Sequence, residues 1–260
     1  MSSLSPFLSD DGTALGGWLS VPNAVTAEHA ARLGFDYVCI DTQHGFIEYS
    51  AVVGMIQGIL VGGSIPLVRV PWNEPGIIGK VLDAGAHGVI VPMVNTVAEA
   101  EAAVAAGCYA PDGSRSYGPT AAGTRPDVPY VEWAREATTI IPMIETVEAI
   151  SNLDEILTVP GIEAIYVGPA DLSLTLGLPP GNHDDDPAFT EALEAIVAGC
   201  RRAGVAPGIH ANGPLAARRR EQGFRVITVA NDVLAIRAGM GAELATARGA
   251  SVDTTQGGPY

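Results

Sequence analysis

Five side chains stand out for the chemistry their types and spacing allow. They are Asp41 and His44 in YVCIDTQHG, Arg69 in PLVRV, Glu145 in TIIPMIE and Asp171 in YVGPAD. Glu145 and Asp171 are of the type that could hold one hard divalent cation such as Mg²⁺ or Mn²⁺, with waters or substrate oxygens completing an octahedron. His44 has the chemistry of a general base, and Asp41 close before it would orient the imidazole and raise its basicity. Arg69 lies inside an apolar run, where a guanidinium needs an anion. That anion is either an acid of the protein or a carboxylate or enolate oxygen of a ligand, gripped by the planar fork. Asp83, in LDAGAHG, is a helix-end acid placed to reach inward toward His44. Plainer roles compete with each of these. Glu145 and Asp171 both precede helical patterns and would serve as N-caps, Arg69 would sit in a structural ion pair, and IDTQHG would be a polar turn.

The other polar residues carry weaker signals. His210 ends APGIHA, where it would line a pocket, while His29 and His87 fall in helix or helix-end contexts. His183 and the run Asp184 to Asp186 read as solvated loop, and Arg218, Arg219 and Arg220 as a solvated helix face. Ser114, Ser116 and Tyr117 have no triad partner, so serine hydrolysis finds no support.

What must position these groups is an alternation of two periods. Short β-branched runs at 14–21, 36–41, 66–70, 88–94, 139–145, 164–169, 206–211 and 224–230 read as strands. Segments of helical period lie between them, among them 26–33, 96–106, 146–157 and 187–203, with Asp186-Pro187 marking one helix start. Eight β-α units point to a (β/α)₈ TIM barrel, with an open doubly wound sheet as the other architecture. No G-x-G-x-x-G follows the first strand, which weakens a dinucleotide site. In such a barrel catalytic groups come from the C-terminal ends of the strands. Trp18, Asp41, His44, Arg69, Glu145 and Asp171 all fall there. A single barrel domain over 14–248 is expected, after an N-terminal extension (1–13) and before a flexible tail (249–260). Residues 107–133 are too long for a plain link and are expected as an active-site loop; 177–186 is a second long loop.

Composition narrows the function further. A formal charge of −15 leaves little to neutralise phosphates, so no nucleic-acid partner is expected. No apolar run reaches the roughly 18 to 20 residues that span a bilayer, and MSSLSPFLSDDG lacks the features of a signal peptide. A soluble cytoplasmic protein is the simplest expectation. The three cysteines, Cys39, Cys108 and Cys200, are widely spaced with no C-x-x-C, and read as reduced thiols.

Whole segments then resemble a known family. FDYVCIDTQHG, PLVRVPWNEPGIIGKVLDAGAHGVIVPMVNTVAEAEAAV, MIETVEAISNLDEILTVPGIEAIYVGPADLSLTLG and GFRVITVANDVLAIRAG are similar to the HpcH/HpaI aldolases over nearly the whole chain. These are metal-dependent, class II pyruvate aldolases related to 4-hydroxy-2-oxoheptanedioate aldolase and 2-keto-3-deoxy sugar-acid aldolases. The resemblance implies a (β/α)₈ barrel of the phosphoenolpyruvate/pyruvate type, with an eighth helix often exchanged between subunits and a homohexamer built as a trimer of dimers. It implies reversible cleavage of a 4-hydroxy-2-oxo acid to pyruvate (or hydroxypyruvate) and an aldehyde, with Mg²⁺, Mn²⁺ or Co²⁺ as cofactor. By motif position, His44 would be the base, Arg69 the stabiliser of the enolate and Asp83 the acid that raises the basicity of His44. Glu145 and Asp171 would hold the metal. Ala170 and the Gly168-Pro169 turn would receive the substrate carboxylate, with Trp18 and Met143 completing the substrate-binding set. Three departures stand out. Gln43 replaces a Glu common in the family, Met143 replaces a substrate-contacting Gln, and APDGSRSYGP departs from the commoner Arg-Gly segment. Met offers no N–H or O–H donor, so the acceptor aldehyde is expected to differ from that of the best-known members.

One feature of the residues themselves agrees with metal-dependent chemistry. A class I aldolase needs a Schiff-base lysine in the barrel; the chain has thirteen arginines but only Lys80, on a helix after the third strand. Three other functions compete. A CoA-thioester lyase of the citrate-lyase type would want basic residues for the CoA phosphates. An oxaloacetate decarboxylase needs only the metal and the enolate stabiliser. A non-catalytic barrel would leave the strand-end residues unexplained.

Overall fold

Side chains alternate across each strand, and this alternation organises the computed structural model, which describes residues 3–8 and 12–249. In chain order the elements are β1 Ala14–Leu19, α1 Ala24–Ala31, β2 Tyr37–Asp41, α2 Tyr49–Gly62, β3 Ile65–Arg69, α3 Pro75–Ala84 and β4 Gly88–Val91. There follow α4 Val97–Gly107, α5 Tyr130–Ala137, β5 Thr139–Pro142, α6 Val147–Ser151, α7 Leu153–Ile156 and β6 Ala164–Val167. The chain ends with α8 Pro169–Thr175, α9 Pro187–Ala203, β7 Ala206–His210, α10 Ala216–Gln222, β8 Val226–Asn231 and α11 Asp232–Ala247.

All eight strands are parallel, and β1 pairs with both β2 and β8. The remaining seam, β5 to β6, is joined by a single bridge between Met143 and Tyr166, where the Ile144 N–H donates to the Tyr166 carbonyl at 2.9 Å. The sheet therefore closes as a TIM barrel, and the open sheet is excluded.

Closure creates two cores. Outward residues such as Val38, Ile40, Val68, Val89 and Ile165 pack against the helices, while Tyr37, Cys39, Leu67, Ile90, Ile141 and Tyr166 fill the barrel. The Tyr37 and Tyr166 hydroxyls both bond Thr228 Oγ1, at 2.9 and 2.6 Å, so Thr228 satisfies the polar ends of both fully buried tyrosines. Gly16 makes room for this layer, because a Cβ there would stand 2.0 Å from Tyr37 Cζ. Leu4 is fully buried against the interior cluster with Phe7 and Leu8 beside it. Leu4, Phe7 and Leu8, from the expected N-terminal extension, thus plug the barrel where its strands begin. Beyond Gly249 the expected tail lies outside the described residues.

The local signals behave as chemistry dictates. Asp186 caps α9, accepting from the N–H groups of Ala188 and Phe189, with Pro187 in the first turn. Thr96 and Glu99 form a capping box on α4. The helix expected over 146–157 is broken at Asn152 into α6 and α7.

Two expectations are corrected. Residues 107–133 do not line the strand-end cleft. They join α4 to β5, at the end where the strands begin, and pack Tyr109, Ala122, Tyr130 and Trp133 into a cluster of their own. Arg219 is no part of a solvated face: it is fully buried and donates to Asp184, Asn182 and Gln222. Asp184 is correspondingly an ion-pair partner and not solvated loop, because a buried guanidinium must find acceptors. No helix among the described residues is long and apolar enough to cross a membrane.

Replacing Thr228 with Val should leave two buried tyrosine hydroxyls with one partner fewer and cost about 1–3 kcal/mol. Urea unfolding checks this; a midpoint equal to the parent's would show that the layer is not held by those bonds.

Candidate active site

Asp41 and Arg69 end neighbouring strands and face each other in register. Arg69 Nε and Nη2 donate to Asp41 Oδ1 and Oδ2 at 2.9 and 2.6 Å, and Trp18 Nε1 adds a bond to Oδ2 at 3.2 Å. Both partners are buried, 3% and 6% exposed. Burial alone would raise the Asp41 carboxyl, but the Arg69 fork outweighs it and holds the group below its ordinary range. The anion that Arg69 requires is therefore in the protein. Its third nitrogen, Nη1, has no hydrogen bond among the described residues, while the side chain lines the cleft. That leaves a donor for a ligand oxygen.

This arrangement changes the part expected of Asp41. Its Oδ1 also accepts the backbone N–H groups of Gln43 and His44, at 3.0 and 3.2 Å. Asp41 holds the loop that carries His44 through its backbone, and its carboxylate is committed to Arg69. His44 itself stands exposed at the rim, outside the residues that line the cleft. Asp83 also departs from expectation. The helix α3 starts beside the strand ends and runs away from them, so Asp83 lies about two turns, roughly 12 Å, down the helix from Pro75. There it pairs with Arg115 at 2.5 Å. Within one chain its carboxylate belongs to that ion pair and not to a dyad with His44.

Across the cleft from Arg69, Glu145 is 1% exposed. Its Oε1 accepts the Met93 N–H at 2.9 Å, and Met93 holds the left-handed backbone that this requires, φ 55°. Oε2 is buried with no hydrogen-bond partner. Burial first, then the neighbouring Asp171 carboxylate, push the Glu145 pKa up to about 7 against the pull of the Met93 N–H. Gly168 is the close neighbour of the orphaned oxygen, because a Cβ there would sit 2.1 Å from Oε2. Neither acid is an N-cap: Thr146 caps α6, and Asp171 stands within the first turn of α8.

Two carboxylates on a buried cleft, one with an unpartnered oxygen, fit a divalent cation whose remaining positions are filled by water or substrate oxygens. Among the described residues no group of three acids, histidines or cysteines is assembled for a metal. The cleft brings together Trp18, Arg69, Met143, Glu145 and Asp171 with Gly168, Pro169 and Ala170. It also contains residues not singled out in sequence, Tyr166, Gly181 and Asn182, together with His210. Two-residue alternation along the strands would have placed Tyr166 and His210 on the inner face. Nothing local marks Asn182 or Met93, which reach the site through loop geometry.

The model for the HpcH/HpaI aldolase/citrate lyase family matches residues 15–238. The chain is 40% identical to the hydroxypyruvate/pyruvate aldolase of Rhizorhabdus wittichii, over 90% of this chain and 94% of that one. It is 39% identical to the 4-hydroxy-2-oxo-heptane-1,7-dioate aldolase of Salmonella paratyphi C, over 90% and 89%. Among solved structures, an HpcH/HpaI aldolase/citrate lyase family protein of Burkholderia cenocepacia J2315 superposes with a TM-score of 0.86 at 32% identity, covering 94% of this chain and 98% of that one.

The protonation of Glu145 generates a prediction with a definite sign. Its carboxyl titrates at 4.5 in its ordinary state and at about 7 when folded and free of metal. Between those values the folded form holds a proton that the unfolded form has lost. Stability of chelated protein should therefore fall with rising pH, by about 1.4 kcal/mol per unit across that window. Melting temperatures from about pH 5 to about pH 8 check this. Glu145→Gln should flatten the slope, and added Mg²⁺ should offset it in the parent alone.

Proposed function

The chain belongs to the HpcH/HpaI aldolase/citrate lyase family, and from that premise we propose how its strand ends carry out the reaction. It is a carbon–carbon lyase, a class II aldolase acting on 2-oxo acids and aldehydes. The observation that carries the site assignment is the pairing of an orphaned carboxylate oxygen on Glu145 with Asp171, opposite an arginine whose Nη1 is still to be used. A divalent cation held by Glu145 and Asp171, whether Mg²⁺, Mn²⁺ or Co²⁺, would supply Lewis acidity toward the 2-oxo group.

The chain's own residues do the rest. Ala170 stands second in α8, after Pro169, and its N–H has no acceptor within the helix; with the Gly168-Pro169 turn it receives the substrate carboxylate. Trp18 and Met143 wall the pocket and exclude water. His44, from the rim, takes the proton of the C4 hydroxyl directly or through a water, as the C3–C4 bond breaks to aldehyde and pyruvate enolate. Arg69 offers its N–H to the enolate oxygen, and Asp41 holds the guanidinium in that orientation. Run backwards, the same groups add the enolate to an aldehyde.

The last helix supports a homo-oligomer. Sixteen residues long, α11 has no buried residue, and Ile236, Met240 and Leu244 form an exposed apolar stripe. Its first residue, Asp232, is tied to the Ser20 and Val21 N–H groups, so the helix leaves the barrel at a fixed root. A neighbouring copy that receives this stripe accounts for it, consistent with a hexamer built from dimers. Met240→Glu should yield a smaller species by light scattering; an unchanged mass would remove the helix from the interface.

One assay tests the reaction. Chelated protein should lose aldol cleavage and regain it with Mg²⁺, Mn²⁺ or Co²⁺; cleavage that survives chelation and is trapped by borohydride would defeat the class II reading. His44→Ala should lower cleavage by at least about a hundredfold. The same variant should spare decarboxylation of oxaloacetate, which needs no proton from a C4 hydroxyl. Full cleavage by His44→Ala would remove it as the base.

A further inference from the structure

Glu145 keeps one carboxylate oxygen open because the other is engaged: Oε1 accepts the Met93 N–H, and Oε2 has no partner. Met93 is the one non-glycine residue of positive φ among the described residues. A left-handed backbone is disfavoured wherever a Cβ crowds the following carbonyl, so other contacts must hold Met93 in it. One of them is on its own carbonyl, to which Asn95 Nδ2 donates at 3.2 Å. With the N–H tied to Glu145 and the carbonyl tied to Asn95, both backbone torsions of Met93 are fixed.

Asn95 in turn has each of its polar groups matched. Its N–H donates to Glu99 Oε2 at 2.7 Å, and its carbonyl accepts from Asn152 Nδ2 at 2.8 Å. Its Oδ1 accepts the hydroxyl of Thr146, the buried residue that follows Glu145 in the chain. The chemistry of the partners fixes which way the amide points. The Met93 carbonyl can only accept, so it faces the nitrogen. Thr146 Oγ1 already accepts the Ala149 N–H at 3.0 Å, so its proton is left for the oxygen. One amide therefore grips both the residue that holds Glu145 Oε1 and the residue next to Glu145. Neither Asn95 nor Thr146 lines the cleft, so neither meets a substrate there.

We propose that Asn95 is a positioning residue for the metal site, acting on Glu145 through Met93 and Thr146. It keeps Oε1 engaged and Oε2 directed at the cation. The assignment rests on the metal-dependent reading above and adds to it the residue that sets the geometry of one donor. The loop after β4, which supplies no donor of its own, thereby governs a donor at the end of the neighbouring β5. Partners that orient a ligating carboxylate in this way usually contribute strongly to metal affinity.

The test is direct Mn²⁺ binding to chelated protein without substrate, with free Mn²⁺ read from its paramagnetic resonance signal. Asn95→Ala should raise the Kd for Mn²⁺ by about tenfold or more, and Glu145→Gln at least as much. The double variant should bind no more weakly than Glu145→Gln alone, which marks an effect passed through that carboxylate. Damage to the fold at large would instead add to the loss. Thr146→Val and Thr146→Ser carry the same test should Asn95→Ala not fold. Val lacks the hydroxyl and should weaken Mn²⁺ binding, whereas Ser keeps it and should bind as the parent does. A parent that binds no Mn²⁺, or Glu145→Gln binding as tightly as the parent, would overturn the metal assignment and the role of Asn95 with it. Binding that is lost in Glu145→Gln but unchanged in both Asn95→Ala and Thr146→Val would overturn the role of Asn95 alone.

Discussion

Arg69 brings a permanent charge into a barrel interior filled with aromatic and aliphatic side chains, and the strand-end structure is arranged around that constraint. Burying a guanidinium costs several kcal/mol unless an acid meets it with good geometry. Asp41 does so from the adjacent strand, in register, through two parallel bonds. Trp18 covers the pair with its ring and donates to the same carboxylate. The carboxylate then gathers the N–H groups of the loop beyond it. One ion pair therefore fixes an arginine, an indole and the backbone that bears His44. The part of Arg69 not used in this way faces the cleft.

Charge is left deliberately out of balance beyond that pair. Among the described residues that line the cleft, Arg69 is the one cation beside Glu145 and Asp171, and Glu145 keeps a buried oxygen without a hydrogen-bond partner. An uncompensated carboxylate in a dry site either holds a proton or attracts a cation. Burial, which raises the Glu145 pKa to about 7, moves the metal-free protein toward the first outcome. The close approach of Gly168 and the left-handed Met93 are what the backbone contributes to keep that oxygen in place.

Much of the site was legible in the residues because strand periodicity is local. Alternation assigns Trp18, Asp41, Arg69, Met143 and His210 to the inner face from their spacing within each run, and β/α order assigns them to one end of the barrel. Misreadings arose where polar residues had to find partners far along the chain. Arg219 read as solvated because its neighbours Arg218 and Arg220 are charged, yet it is buried against Asp184, 35 residues away. Within one chain, Asp83 pairs with Arg115 and not with His44, because the direction of α3 carries it away from the strand ends. A helix reverses direction relative to its strand, and spacing along the chain does not report which end of it is near a site.

The sequence by itself determined the barrel, the strand ends and the stock of acids, because those follow from short-range alternation, turn residues and composition. It also determined that no lysine stands at a strand end to form an imine. Only the tertiary structure decided which acid goes with which base: that Asp41 belongs to Arg69, that Glu145 keeps an unpaired oxygen, and that Arg219 turns the Asn182 amide. Those pairings depend on register between strands and on loops crossing over the barrel mouth. They are settled by the cost of leaving a buried polar group unmatched, a cost that exists only once the chain has closed around it.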